Sequence, residues 1–383
     1  MPDVAIAIKD LPALAQLGLD PDLKLGELYM DGRLTIEKGD VVGLLELLMG
    51  NLALSGGASG VHAGLRLLRR GLRVFAQWNP ARAARAHAAH HYDLSGRLYD
   101  LFLDASRQYS CAYFAHDGDT LETAQAEKKY HISTKLNFNR PGLSVLDIGC
   151  GWGGLAMDIA RERDAKVLGI TLSTEQLSAA QDVARQKGLA DRVRFELRDY
   201  RAVTGRFDRI VSVGMFEHVG ARYYPQFFAK VCEVLADDGV MLLHSIGRAD
   251  GPGATNAWIR KYIFPGGYAP ALSEVVPVIE KAGLIVTDVE VLRLHYARTL
   301  AEWQRRFQAN RAEVAALYDE RFCRMWEFYL AGAEMAFRHD RQVVFQIQIA
   351  KRVDSLPLTR DYMSEKRGDT EAAARSAQIK RVA

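Results

Sequence analysis

The sequence predicts an α/β protein: an open, mostly parallel sheet with helices on both faces, preceded by a mainly helical N-terminal region. Two observations predict the sheet. From about residue 140, short apolar runs alternate with segments of helical spacing, the pattern of parallel strands joined by crossover helices. Between the first run and its helix stands a turn containing Gly149, Gly151, Gly153 and Gly154, where absent side chains let backbone N–H groups approach a ligand. A third observation sets the scale. The chain has 383 residues, 49% hydrophobic and 25% charged, enough core for one large or two ordinary domains.

In chain order, residues 1–90 form the N-terminal region, with a short strand pair expected in "ELYMDGRLTIEKGD" about an Asp31-Gly32 turn. The alanines of "NPARAARAHAAHHYD" favour helix and make the transition. Residues 91–352 form the second unit. "LSVLDIGC" is its first strand, "GGLAMDIARERD" a helix, "KVLGITL" a strand and "STEQLSAAQDVARQKGL" a helix. "VRFELRD", "FDRIVSVGM" and "GVMLLHSIG" continue the alternation. Residues 253–340 read as mainly helical, a lid over the carboxyl edge of the sheet, and "QVVFQIQIAKR" as a closing strand. Residues 353–383 are polar, charged and Ala-rich, a frayed tail.

Composition removes several function classes. No apolar run reaches the roughly 18–20 residues of a membrane span. Asp3 precedes any basic residue, so no secretory leader is expected. Cys111, Cys150, Cys232 and Cys323 form neither a CxxC pair nor a zinc spacing, so no metal is expected and a reduced, cytoplasmic setting is the simplest reading. Net charge is only +3, and no nucleic-acid partner is expected. The charge is uneven, however: no acid lies between Glu46 and Asp93, while Arg66, Arg69, Arg70, Arg73, Arg82 and Arg85 do. "VHAGLRLLRRGLRVFAQW" interleaves arginines with leucines and aromatics. Such a segment can lie on an anionic bilayer, at about 1 kcal/mol per cation, or pack its apolar side on the main domain.

The glycine turn formally satisfies GxGxxG through Gly149, Gly151 and Gly154, so a dinucleotide is one reading. Asp147 argues against it, because a carboxylate beside the turn repels a pyrophosphate and attracts a cationic amino-acid tail. The second strand also ends "GITLS", with no acid to hold a ribose before Glu175. S-adenosylmethionine fits better than NAD.

Together with "HYDLSGRLYDLFLDASRQYSCAYF", "GMFEHVG", "LLHSIG" and "WIRKYIFPGG", this turn resembles the cyclopropane-fatty-acyl-phospholipid synthase family, whose relatives include the mycolic-acid cyclopropane synthases. The resemblance runs from about residue 91 to 350. It implies a Rossmann-like, seven-stranded S-adenosylmethionine-dependent methyltransferase fold. The implied reaction adds a methylene carbon across a cis double bond of an unsaturated phospholipid in the membrane bilayer. It further implies cofactor contacts from Tyr109 and Ser110, from Asp147, Gly149 and Gly151, from Thr171, Leu172 and Gln176, and from Asp199 and Tyr200. Family members hold bicarbonate, whose matching ligands are Cys111, Glu217, His244, the Ile246 backbone and Tyr329. The expected position is peripheral, on the inner membrane face, with residues 1–90 helping to dock the protein on lipid and offering a homodimer contact.

That chemistry has stated needs. An isolated alkene is a weak nucleophile and a sulfonium methyl a strong electrophile, so attack leaves positive charge on the acyl chain, and a base must then remove a proton. The alkene must be aligned and water excluded. Negative charge and aromatic faces belong near the developing cation. Phe114, Phe216, Tyr262, Phe264 and Tyr296 are candidate lining, and His218 is expected to point away from Glu217. An anion beside Glu217 requires either an imidazolium at His244 or a protonated Glu217, and both remain open. Other fates are a methyl-branched or methylated unsaturated chain without ring closure, N-methylation of a soluble amine, and a non-catalytic lipid scaffold.

Overall fold

The computed structural model describes residues 3–54 and 95–364. The basic segment with Arg66, Arg69, Arg70 and Arg73 lies outside the described residues.

The N-terminal region contains β1 (Ala5–Ile8), α1 (Leu11–Leu19), α2 (Pro21–Met30), β2 (Leu34–Lys38) and α3 (Val41–Leu54). A strand pair is present, but it joins β2 to β1, antiparallel, and "ELYM" is helical. Pro21 at the first helical position pre-sets φ for α2. Asp31-Gly32 ends that helix instead of turning a hairpin. Gly32 takes φ 63°, and the Arg33 N–H reaches back to the Leu28 carbonyl at 2.9 Å, a Schellman cap.

α4 (Gly96–Asp100) and α5 (Leu121–Lys135) lead into the main sheet. Then come β3 (Ser144–Ile148), α6 (Gly154–Glu162), β4 (Lys166–Thr171), α7 (Thr174–Gln186), β5 (Val193–Leu197), β6 (Phe207–Val213), α8 (Tyr224–Val234) and β7 (Leu235–Arg248). α9 (Ala257–Tyr262), α10 (Leu272–Lys281), β8 (Ile285–Leu292), α11 (His295–Ala309), α12 (Arg311–Leu317), α13 (Glu320–His339) and β9 (Gln342–Ala350) complete the described elements. The strand order is β5-β4-β3-β6-β7-β9-β8, with β9 antiparallel to both its neighbours and β3 to β7 mutually parallel. Alternation along each strand divides the core between two faces. Val145, Val211 and Leu242 pack with α5, α6 and α7, whereas Leu146, Ile210 and Met241 pack with α8 and α10.

The stretch expected to be mainly helical contains a strand, β8. Its "DVEVL" alternation was legible, but two carboxylates inside an apolar run disguised it; both are paired, Asp288 with Arg360 and Glu290 with His131 and Lys135. Residues after β9 return to this edge, where the Gln348 side chain donates to the Tyr362 hydroxyl at 2.8 Å.

The N-terminal region sits on the lid. Val41 and Leu45 pack on Ala331 and Met335 of α13. Glu27 accepts from Lys261 at 2.6 Å and from the Tyr262 hydroxyl at 2.9 Å, and the Trp258 indole N–H points at Met30 Sδ, 3.2 Å away. Gly26 is required by this contact, since a Cβ there would lie 2.5 Å from Trp258 Nε1 and 2.8 Å from Phe328. Gly26→Ala should therefore pry α2 from α9 and cost about 1–3 kcal/mol of stability, measured by chemical denaturation; an unchanged midpoint would contradict this packing.

Candidate active site

Beyond Ile148 the chain turns through Gly149, Gly151 and Gly153, at φ 85°, 56° and 80°. A Cβ on Gly149 would lie 2.7 Å from Met215 Cβ, so the turn is pressed against the segment leading to Glu217. Nothing lies within 4 Å of the Cβ position of Gly151, whose backbone therefore faces open space. Asp147, near the end of β3, is buried, and its Oδ2 has no hydrogen-bond partner. Burial pushes its carboxyl up to about 7, against the opposing pull of Lys128. An orphan carboxylate oxygen beside an open glycine turn suits an amino group, the cationic end of S-adenosylmethionine, and would repel a pyrophosphate.

Neighbouring strands add to this edge. At the end of β4, Thr171 Oγ1 donates to Gln176 Oε1 at 2.8 Å and accepts the Ser173 N–H at 3.1 Å, while Ser173 Oγ caps α7. Half-buried Leu172 lies between them. After β5, the Asp199 carboxylate takes both the backbone N–H and the guanidinium of Arg201. Tyr200 packs edge-on against Phe227, and burial pushes its hydroxyl up to about 12. Tyr109, Ser110 and Cys111 arrive on an irregular segment between α4 and α5. That segment is held from α5: buried Lys128 donates to Ser110 Oγ at 2.8 Å and Gln108 Oε1 at 2.7 Å, and Gln125 donates to the Ser110 carbonyl at 3.0 Å. Burial pushes the Lys128 amine down to about 7.

Glu217 lies in a short 3-10 turn after β6. Its Oε1 accepts the Ile246 N–H at 2.7 Å, and its buried Oε2 has no partner. Burial pushes the carboxyl up to about 7, against the Ile246 hydrogen bond. His244, two residues earlier on β7, is buried, and burial, followed by the charges of Lys128 and Lys135, holds its imidazole well below the ordinary range. Burial thus works against an imidazolium at His244 and towards a proton on Glu217. Ile246 N–H, read as a donor to the anion, donates here to Glu217 instead. Burial also pushes the Cys111 thiol up, so it remains a thiol donor.

Tyr329 on α13 reaches the same region, its hydroxyl 2.8 Å from that of Tyr109, which stacks on Trp303. Phe264 stands edge-on to Tyr329 at 5.7 Å and faces the His218 ring at 6.1 Å. His218 is in the 3-10 turn, so strand alternation does not govern its direction. Phe114, Tyr296 and Phe264 belong with this aromatic cluster. Phe216 instead stacks on Tyr224 in the core beneath the sheet, and Tyr262 is engaged by Glu27.

Two groups beside the site escaped the sequence reading, Lys128 and Gln346. Lys128 falls on the buried stripe Leu121, Ala124, Gln125, Lys128, Ile132, where helical spacing alone points it inward. Gln346 and Gln348 recur at strand period inside apolar β9, a sign of buried polar contacts.

A sheet of this order, with the glycine turn and an orphan carboxylate at its carboxyl edge, defines an S-adenosylmethionine-dependent methyltransferase. A family model described as mycolic acid cyclopropane synthetase matches residues 80–347, and the chain belongs to that family. The cyclopropane-fatty-acyl-phospholipid synthase of Escherichia coli is 38% identical over 352 residues, covering 91% of this chain and 88% of its own. A Pseudomonas putida protein described as a probable fatty acid methyltransferase is 44% identical over 287 residues, 72% of each chain. The crystal structure of mycolic acid cyclopropane synthase CmaA1, complexed with SAH and CTAB, aligns with a TM-score of 0.66 at 35% identity, covering 71% of this chain and 99% of that one.

The buried carboxyls make stability depend on pH. Glu217 rises from 4.5 to about 7 and Asp147 from 3.8 to about 7 on folding. Through that window the folded carboxyls hold protons the unfolded ones have lost, so the stability they contribute is full at the acid end and falls as pH rises towards 7. Glu217→Gln should flatten this fall by up to about 3 kcal/mol, at about 1.4 kcal/mol per unit, in denaturation midpoints recorded across the window. An unaltered slope would contradict the burial of an ionisable Glu217.

Proposed function

We propose that this protein is a cyclopropane-fatty-acyl-phospholipid synthase, placing a methylene carbon from S-adenosylmethionine across the cis double bond of an unsaturated phospholipid acyl chain. The observation that carries the reading is the buried Glu217 carboxyl, oriented by Ile246 N–H through one oxygen and left with the other unpartnered. A carboxyl whose proton burial retains up to about pH 7 can donate to an anion, and bicarbonate suits that position. Cys111, Glu217, His244 and Tyr329 are its proposed ligands, with Ile246 fixing Glu217. Bicarbonate supplies a base near the transferred carbon. The proposed cofactor contacts are Tyr109, Ser110, Asp147, Gly149, Gly151, Thr171, Leu172, Gln176, Asp199 and Tyr200. S-adenosylmethionine supplies the electrophilic methyl. The protein's part is to align the alkene, keep water out with the cluster around Tyr109, Tyr329, Trp303 and Phe264, and set those faces against positive charge on the chain.

A second reading keeps the first step and omits ring closure, leaving a methyl branch or a methylated alkene. It is favoured by the similarity to the Pseudomonas putida protein described as a probable fatty acid methyltransferase. For the substrate's location, α1 carries no charged residue and exposes Leu11, Leu14 and Leu19, a face suited to approaching lipid. Among the described residues no helix is long and apolar enough to cross a membrane.

Incubation with S-adenosylmethionine and unsaturated phospholipid vesicles should give a lipid heavier by one CH2 that resists catalytic hydrogenation; a product that hydrogenation reduces selects the second reading. Turnover should fall in carbonate-free buffer and recover on adding bicarbonate, and Glu217→Gln should lower kcat by about 10²–10³-fold. Replacing Leu11, Leu14 and Leu19 together with Ser should reduce co-sedimentation with anionic vesicles while leaving the thermal midpoint in place. Undiminished co-sedimentation would exclude α1 as a lipid contact.

A further inference from the structure

The register of the last three strands sets His244, Gln346 and Glu290 side by side in one row, because His244 of β7 pairs with Gln346 of β9 and Gln346 pairs with Glu290 of β8. Residues paired across neighbouring strands point to the same face, so the three side chains share a face of the sheet. Lys135, the last residue of α5, drops onto this row. It is buried, forms an ion pair with Glu290, and donates to Gln346 Oε1 at 2.9 Å. Glu290 also binds His131 Nε2 at 2.6 Å, and the carbonyl of Lys135 accepts from Gln348 at 2.5 Å. Gln346 itself is wholly buried, and its Nε2 lies 3.2 Å from His244 Nδ1.

The chemistry of these groups leaves one consistent arrangement. An ammonium only donates, so the Gln346 atom facing Lys135 must be its carbonyl oxygen. Its other atom is then the amide NH2, which only donates, and His244 Nδ1 must accept. A neutral imidazole has one proton, which this places on Nε2. An imidazolium would set Nδ1–H against the amide N–H, donor to donor. Nε2 has no hydrogen-bond partner among the described residues. We infer that Gln346, locked by Lys135, is a positioning residue that holds His244 as the neutral Nε2–H tautomer and so fixes which ring nitrogen offers a proton to the reaction site. The inference rests on the ring-forming reading for its purpose, though not for the tautomer itself. Metal-ligating histidines are likewise fixed in one tautomer by a partner on the second nitrogen, though there that nitrogen donates, and loss of such partners costs roughly 10- to 100-fold.

The test is two-bond ¹⁵N–¹H correlation of the full-length chain labelled at histidine, with the His244 signals assigned by their loss in His244→Gln. Wild-type His244 should show the Nε2–H pattern. Gln346→Glu presents an acceptor to Nδ1 and should move the proton there or charge the ring. Gln346→Met, of similar shape and without a donor, should give a mixture of tautomers. With S-adenosylmethionine, bicarbonate and unsaturated phospholipid vesicles, kcat should fall roughly 10-fold or more in Gln346→Glu, by more than in Gln346→Met, with KM for S-adenosylmethionine nearly unchanged. An Nδ1–H pattern in the wild type, or full kcat in Gln346→Glu, would overturn the inference. The spectra are recorded without lipid, so a failure of ring formation would show in the product alone and leave the tautomer result intact.

Discussion

The site depends on one hydrogen bond, from the Ile246 N–H to Glu217. β6 stops pairing with β7 at Val213 opposite His244, and Gly214 N–H closes the ladder on the His244 carbonyl. In a parallel pair the next group on that side of β7 is the N–H of Ile246, which faces a strand that has already ended. A buried N–H in that position is costly unless it is paired. Glu217 pairs it by folding back through a 3-10 turn, so a carboxylate enters the interior to finish a ladder. Because only one oxygen is consumed, the other is left buried and unpartnered. Structural need and chemical provision coincide in a single contact.

The surroundings follow from this geometry. Gly149 must lack a side chain because the Glu217 turn, entered through Met215, presses on it, so the proposed cofactor turn and the carboxyl are in register by contact. Dryness then raises the Glu217 and Asp147 carboxyls together and lowers Lys128 and His244. The edge therefore holds several ionisable groups whose charged forms burial disfavours.

Much of this was legible in the chain. The alternation from residue 140 marked every parallel strand, and "VLDIGCGWGG" marked the ligand turn, because both signals are local. Long-range facts were hidden. Asp288 and Glu290 made β8 look unlike a strand since their partners, Arg360, His131 and Lys135, are remote in sequence. "ELYMDGRLTIEKGD" suggested a hairpin because an Asp-Gly pair serves a strand turn and a helix cap equally; only β1, some twenty residues upstream, decides which. The motif residues Glu217, His244 and Ile246 could be named in advance, whereas the direction of the Ile246 N–H needed the point at which β6 ends.

The place of β9 has a consequence for how the protein is made. It is inserted between β7 and β8, both of which precede it in the chain, so a nascent polypeptide emerging from the ribosome carries a gap through its sheet until these late residues arrive. Until then His244 has no glutamine beside it and Lys135 no amide to hold. Non-local closure of this kind is slow compared with local turns and helices. Competence is therefore acquired in one late step of synthesis, and an interrupted product would display two unpaired strand edges, the kind of surface that chaperones recognise.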